Sequence, residues 1–174
     1  MAIPKAEFTR VTGIRAQALG EPGSRTFRIL VDSESSSATL WLEKEQLFQL
    51  ALAIGHLQAS LPEGTGSRGG AGFGDEAGPP THLEFRIGKL VLGHEGNSDR
   101  FIIDAHDTES ADDDDDPTVR VWSERDQLTV FAEESLRLCA AGRPLCSLCG
   151  GPIDPTGHVC PRSNGHALHD LTRL

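Results

Sequence analysis

Three of the four cysteines fall within fifteen residues near the C-terminus, in the run Cys146-Ser-Leu-Cys149-Gly-Gly-Pro-Ile-Asp-Pro-Thr-Gly-His158-Val-Cys160, and His166 follows after five more residues. Thiolates separated by two residues can be aimed at one ion by a tight turn. The Gly150-Gly151 pair after them permits the close backbone approach that such a turn needs. Cys160 is the third expected ligand. The fourth is His166 or His158; the near-adjacency of His158 to Cys160 favours His166, with His158 as the alternative. Cys146, Cys149, Cys160 and His166 form a tetrahedral N/S set, which implies Zn2+ in a closed, structural site. A redox dithiol fits less well, because such motifs open a helix whereas this one runs into Gly-Gly-Pro. A catalytic zinc would need a position left open for water. A tail this short has little core of its own, so metal binding, worth roughly 10–16 kcal/mol in zinc-finger peptides, would supply most of its folding energy.

Other residues could do chemistry, each beside a plainer role. Gly20-Glu21-Pro22-Gly23-Ser24-Arg25 could receive an anion on its turn amides and Arg25. It lacks the Gly-Lys-Ser/Thr of a phosphate loop, and a hairpin turn explains its Gly and Pro. The five aspartates 112–116 lack the glycine and spaced ligands of a calcium loop and read as a solvated surface loop. His82, His94 and His106 with Asp104 and Asp107 could converge as a hydrolytic site, but no nucleophile motif accompanies them. Glu43 and Glu124 could form a carboxylate pair, although acidic residues also suit the start of a helix.

The elements that must position these groups come in two similar series. Trp41-Leu-Glu-Lys-Glu-Gln-Leu47 returns 81 positions later as Trp122-Ser-Glu-Arg-Asp-Gln-Leu128. Upstream, Glu21–Phe27 falls on Glu95–Phe101 at an offset of 74. The seven-residue difference places an insertion in the acidic stretch 107–117, which is polar and belongs on the surface. We read a duplication. Each copy predicts three strands and a helix: Phe8–Leu19, Arg25–Asp32 and Ala38–Leu42, then a helix from Glu43 to about Ser60; and Leu83–Gly93, Arg100–Ala105 and Thr118–Trp122, then a helix from Ser123, with Ser123 and Asp126 as a capping box, to Gly142. Leu47, Leu50, Ala51, Ile54 and Leu57 mark the inner stripe of the first helix; Leu128, Phe131, Ala132, Ser135, Leu138 and Cys139 mark that of the second. The expected fold class is α+β, a duplicated β-β-β-α unit with a pseudo-twofold and a small C-terminal zinc knuckle. The expected divisions are residues 1–61 (first repeat), 62–80 (flexible Gly/Pro-rich linker), 81–141 (second repeat) and 142–174 (zinc-binding tail).

Two repeats near 60 residues would each be marginal alone, so they should share one core. A formal net charge of −10 among 174 residues counts against a general nucleic-acid or anionic-membrane binder. Arg137, Arg143, Arg162 and Arg173 in and near the tail offer only a weak nucleic-acid surface without interleaved aromatics. No apolar run reaches the roughly 18–20 residues of a membrane span, and residues 1–10 lack a signal-peptide core, so a cytoplasmic location is expected.

With Gly20–Phe27, Leu42–Leu47 and the Cys146–His166 tail taken together, the chain resembles a bacterial family of unknown function marked by a Gly-Gln-Pro-Gly motif, with Glu21 standing where the motif has Gln. The resemblance implies a small cytosolic protein that accompanies a histidine-phosphatase-like and a kinase-like protein, and it implies no established activity. The reading reached is a non-enzymatic, zinc-stabilised module that binds another protein, with Glu21, Gly23, Arg25, Glu43 and Glu124 as candidate ligand- or partner-binding residues. The alternative is an enzyme or a small-ligand or phosphate-binding protein acting at the Gly20–Arg25 turn or between the repeats; a third is nucleic-acid binding through the tail.

Overall fold

A computed structural model of the chain describes residues 3–62, 80–96, 98–109, 116–154 and 156–162. Nearly all of the expected linker, most of the acidic loop, and His166 lie outside the described residues. The elements run β1 (Ala6–Phe8), β2 (Val11–Leu19), β3 (Thr26–Ser33), β4 (Ser37–Leu42), α1 (Lys44–Ser60), β5 (His82–His94), β6 (Arg100–Asp107), β7 (Val119–Glu124) and α2 (Arg125–Ala140). Strands β2 to β4 and β5 to β7 are antiparallel meanders, each followed by a helix. No helix among the described residues is long and apolar enough to cross a membrane.

All seven strands form one sheet in the order β1-β7-β6-β5-β4-β3-β2. The two meanders are joined by parallel pairing of β4 with the first half of β5, and β1 is parallel to β7. The expected first strand is therefore two strands, because the chain changes partner, from β7 along β1 to β3 along β2. Strand β5 makes the same kind of change without breaking: residues 82–86 pair with β4, and those from Ile87 onward with β6. Since β1 ends at Phe8 and β2 begins at Val11, the two edges of the sheet are tied by a segment that spans about 10 Å at most. The sheet must curl until its edges approach each other.

Alternation along the strands places one face inside. Phe27, Ile29 and Val31 of β3, Ala38, Leu40 and Leu42 of β4, Phe101, Ile103 and Ala105 of β6, and Val119 and Val121 of β7 are buried in one cluster with Leu47, Leu50, Ala51 and Ile54 of α1 and Leu128, Phe131, Ala132 and Cys139 of α2. Both helices thus cover the same face and also pack on each other, where Gln58 Nε2 donates to Arg125 O at 3.0 Å and Thr129 Oγ1 donates to Gln58 Oε1 at 3.1 Å.

The second helix begins one residue later than its sequence signal. Ser123 is still an inward-facing residue of β7, 3% exposed, so Glu124 becomes the N-cap. Gln127 closes the cap, its Oε1 accepting the Glu124 N–H at 3.3 Å, as Gln46 Oε1 accepts the Glu43 N–H at 2.9 Å in α1. Each glutamine also donates through Nε2 to a strand: Gln127 to Val11 O at 2.9 Å and Gln46 to Ile87 O at 3.3 Å. Both acceptors sit where a strand's pairing register shifts, at Val11/Gly13 and Ile87/Lys89. A bulge leaves backbone groups without ladder partners, and a side-chain amide can satisfy one of them.

Candidate metal centre

After α2 ends, residues 142–154 and 156–162 form a compact knuckle of turns. Leu145 bridges Pro152, the Cys146 N–H donates to Gly151 O at 2.7 Å, and the Gly150 N–H donates to Cys146 O at 2.8 Å. Gly150 takes φ +71° to make this reversal, a conformation that favours glycine. A second reversal closes at Gly157, with φ +113°, whose N–H donates to Asp154 O at 2.9 Å. The two reversals present Cys146 and Cys149 from one side and His158 and Cys160 from the other.

The ligand atoms of Cys146, Cys149, His158 and Cys160 all lie within 4.8 Å of one another. Cys146 Sγ and Cys160 Sγ are 3.7 Å apart, and Cys149 Sγ and His158 Nε2 are 3.1 Å apart. Ligands at about 2.0–2.3 Å from a tetrahedral ion stand roughly 3.5–3.8 Å from each other, so the set matches a four-coordinate N/S metal site to within about an ångström. A disulfide would require about 2.05 Å, and all four cysteines are free. Gly151 makes room for this grouping. A Cβ there would lie 3.3 Å from Cys149 Sγ and 3.4 Å from His158 Cε1.

The thiols differ in how readily they ionise. Backbone amides of Cys149 and Leu148 hold the Cys146 thiol below its ordinary pKa. For Cys149, the Gly151 amide favours the thiolate, but burial and the neighbouring Cys160 and Cys146 outweigh it and push the pKa up. Thiols this close cannot all ionise without a cation to neutralise them. Arg162 Nη1, donating to Leu148 O at 2.9 Å, ties the end of the knuckle to its first turn.

His158, the alternative fourth ligand, is thus in the group. His166 lies outside the described residues. The near-adjacency that counts against His158 is no obstacle, since residues i and i+2 of an extended segment share a face. Val159, between His158 and Cys160, is 79% exposed and points the other way.

The other candidate residues are dispersed. In the β2–β3 turn, Glu21 O accepts the Ser24 N–H at 2.9 Å, Glu21 is exposed, and Gly23 takes φ +100°, as a type II turn requires. Gly23 and Arg25 line a cleft of about 480 Å³ that also includes Lys44, Cys139, Arg143, Leu145 and Pro152. Burial raises the Cys139 thiol pKa. Arg143 and Lys44 could not be assigned to this cleft from sequence, because the turn, both helices and the knuckle meet there only in three dimensions. Glu43 and Glu124 cap different helices and do not act as a pair: Glu43 Oε1 accepts from Arg86 Nη1 at 2.8 Å, whereas Glu124 lines a separate cleft of about 300 Å³ with Arg10 and Arg100. The histidines do not converge either. His82 and His94 lie at opposite ends of the 13-residue β5 and His106 pairs with Lys89 between them; His82 Nδ1 shares a 2.8 Å hydrogen bond with Ser37 Oγ, and His94 packs edge-on against Phe101.

No curated protein and no solved structure matches the chain. A family model described as a protein of unknown function matches residues 6–160, a span that takes in the whole sheet, both helices and all four clustered residues, and stops before His166. With most of its length inside that span, the chain belongs to the DUF3090 family of proteins of unknown function.

Proposed function

We propose that Cys146, Cys149, His158 and Cys160 hold a structural Zn2+ ion, and that the chain is a non-enzymatic, zinc-stabilised module that binds another protein in a reducing cytoplasm. The four-residue cluster carries this reading. Its donors are three sulfurs and one imidazole, a set that suits zinc, and four protein ligands leave no position for a reacting water. The ion supplies the folding energy of a knuckle that has almost no core: among its described residues only Cys160 is a buried hydrophobic side chain. Leu145, Leu148 and Val159 project from the knuckle at 68%, 52% and 79% exposure, apolar side chains of the kind that protein partners cover.

We further read the body as one ancestral unit copied and fused. Support comes from paired details: Trp41 Nε1 donates to Glu84 Oε1 at 2.7 Å across the β4–β5 seam, and Trp122 Nε1 donates to Glu7 Oε1 at 2.6 Å across the β1–β7 seam. Arg28 lies over the first indole and Arg100 over the second, at 5.3 and 4.4 Å from the ring centroids.

The test is metal analysis of the purified full chain, followed by affinity capture with the intact protein and with Cys149→Ser. One zinc per chain, lost in Cys149→Ser together with a specific protein partner, is the expected result. A knuckle that folds without metal would refute the metal assignment, and an unchanged partner profile would refute the role of the knuckle in binding.

A further inference from the structure

We infer that the cleft between the β2–β3 turn and the knuckle is a binding site for a small molecule that carries a phosphate group on an apolar body. The inference rests on the metal reading in one respect: Arg143, Leu145 and Pro152, which form one wall of the cleft, belong to the knuckle or lead into it.

Charge is the first observation. The chain carries a formal net charge of −10, yet the lining of this cleft holds Arg25, Lys44 and Arg143 and no carboxylate. The side chains of Arg25 and Lys44 make no hydrogen bond or ion pair with the described residues. Arg143 donates through Nη1 to Asp154 Oδ1, which leaves its other nitrogens available. The carbonyl end of α2 also faces the cleft and adds roughly half a negative charge. Against Asp154 and that helix end, three cations leave a surplus of more than one positive charge, suited to a phosphate monoester of about −1.5 to −2.

Convergence is the second. Gly23, at φ +100°, lies so close to Arg143 that a Cβ would stand 3.2 Å from its Nε, and a Cβ on Gly142 would stand 3.5 Å from Lys44 Nζ. A Cβ at Gly23 would crowd the guanidinium and shift it by a few tenths of an ångström, whereas the spacing at Gly142 is ordinary contact. The guanidinium therefore rests against the turn and the ammonium against the end of α2. The Gly-Glu-Pro-Gly-Ser sequence is therefore doubly employed, as a type II turn and as the surface on which Arg143 rests.

The third observation is the remaining wall. Phe27, Leu138, Cys139, Leu145 and Pro152 line the same space. A volume of about 480 Å³ lies in the range of small-molecule pockets, roughly 300–1,000 Å³. Apolar walls beside a cationic rim select an anion with an apolar body over free phosphate, because only the former buries apolar area on binding.

Calorimetric titration of the full-length, zinc-analysed protein with phenyl phosphate, inorganic phosphate and benzyl alcohol tests this. Phenyl phosphate should bind saturably and at least about tenfold more tightly than inorganic phosphate, and benzyl alcohol should show no saturable binding, since each charge-assisted hydrogen bond lost costs about tenfold or more. Arg25→Ala and Lys44→Met should each weaken phenyl phosphate about tenfold or more, Arg25→Lys should retain most of the affinity, and Arg15→Ala, on an exposed ion pair elsewhere, should change nothing. Zinc-replete protein that shows no saturation by about 10 mM phenyl phosphate, or that binds it unchanged after Arg25→Ala, overturns the cleft proposal and leaves the metal assignment standing. Saturable, Arg25-dependent binding by protein that carries no zinc supports the cleft and overturns the metal assignment instead.

Discussion

His158 and Cys160 show how one residue's direction decides a ligand set. With Val159 between them turned to solvent, the imidazole and the thiol face the pair Cys146 and Cys149 from a single extended segment. The three cysteines were legible because their spacing is itself the chemistry: two residues between thiolates leave a turn few other purposes. The histidine is left open between His158 and His166. Two histidines lie within reach along the chain, and choosing between them requires knowing that Gly157 reverses the backbone just before His158. Two substitutions separate them. His158→Ala should lower zinc affinity by at least about 100-fold in competition with a chromophoric chelator, because a direct ligand matters more than the outer contacts whose loss costs 10- to 100-fold. His166→Ala should leave affinity within a few-fold of the parent. The reverse pattern would move the fourth ligand to His166.

Among elements, helices and meander strands were readable because each is specified by its own periodicity. The stripe Leu47, Leu50, Ala51 and Ile54 is buried in α1, and Leu128, Phe131, Ala132, Ser135 and Cys139 are buried in α2. The boundaries that shifted did so for tertiary reasons: Ser123 is kept in β7 by its inward-facing position, and the first strand divides because β1 and β2 pair with different neighbours. Strand order was not readable, since parallel pairing of β4 with β5 and of β1 with β7 joins segments whose side-chain alternation is the same under many arrangements. The β2–β3 turn is where a local rule and a long-range contact meet. Gly23→Ala should destabilise the protein by about 1–2 kcal/mol through backbone strain alone, with a further loss from displacing Arg143, seen as a lowered urea midpoint at unchanged slope. A neutral Gly23→Ala would mean that the turn neither needs positive φ nor supports the knuckle. Gln127→Ala removes both the α2 cap bond and the bond to Val11 O, and should cost about 1–2 kcal/mol.

At the scale of the molecule, the curled sheet and its two helices enclose one core, and among the described residues that core contains none beyond Cys139. The body should therefore fold without the knuckle, whereas the knuckle, on the proposed metal assignment, depends on its ion. Stripping the metal with a chelator should leave the far-ultraviolet circular dichroism of the sheet and helices nearly unchanged while opening residues 142–162 to proteolysis. Cooperative collapse of the whole chain on chelation would show instead that body and knuckle are one folding unit. This division also explains why compact function was hard to infer from residues alone: the cleft that joins the two parts draws on the β2–β3 turn, both helices and the knuckle, which no sequence window contains together. The measurement that bears most directly on the metal centre is X-ray absorption at the zinc edge of the purified, full-length protein. A closed site held by Cys146, Cys149, His158 and Cys160 gives three sulfur scatterers at about 2.3 Å and one nitrogen at about 2.0 Å. Four sulfurs, an oxygen-rich shell, or protein that is folded in the knuckle yet carries no zinc would contradict it.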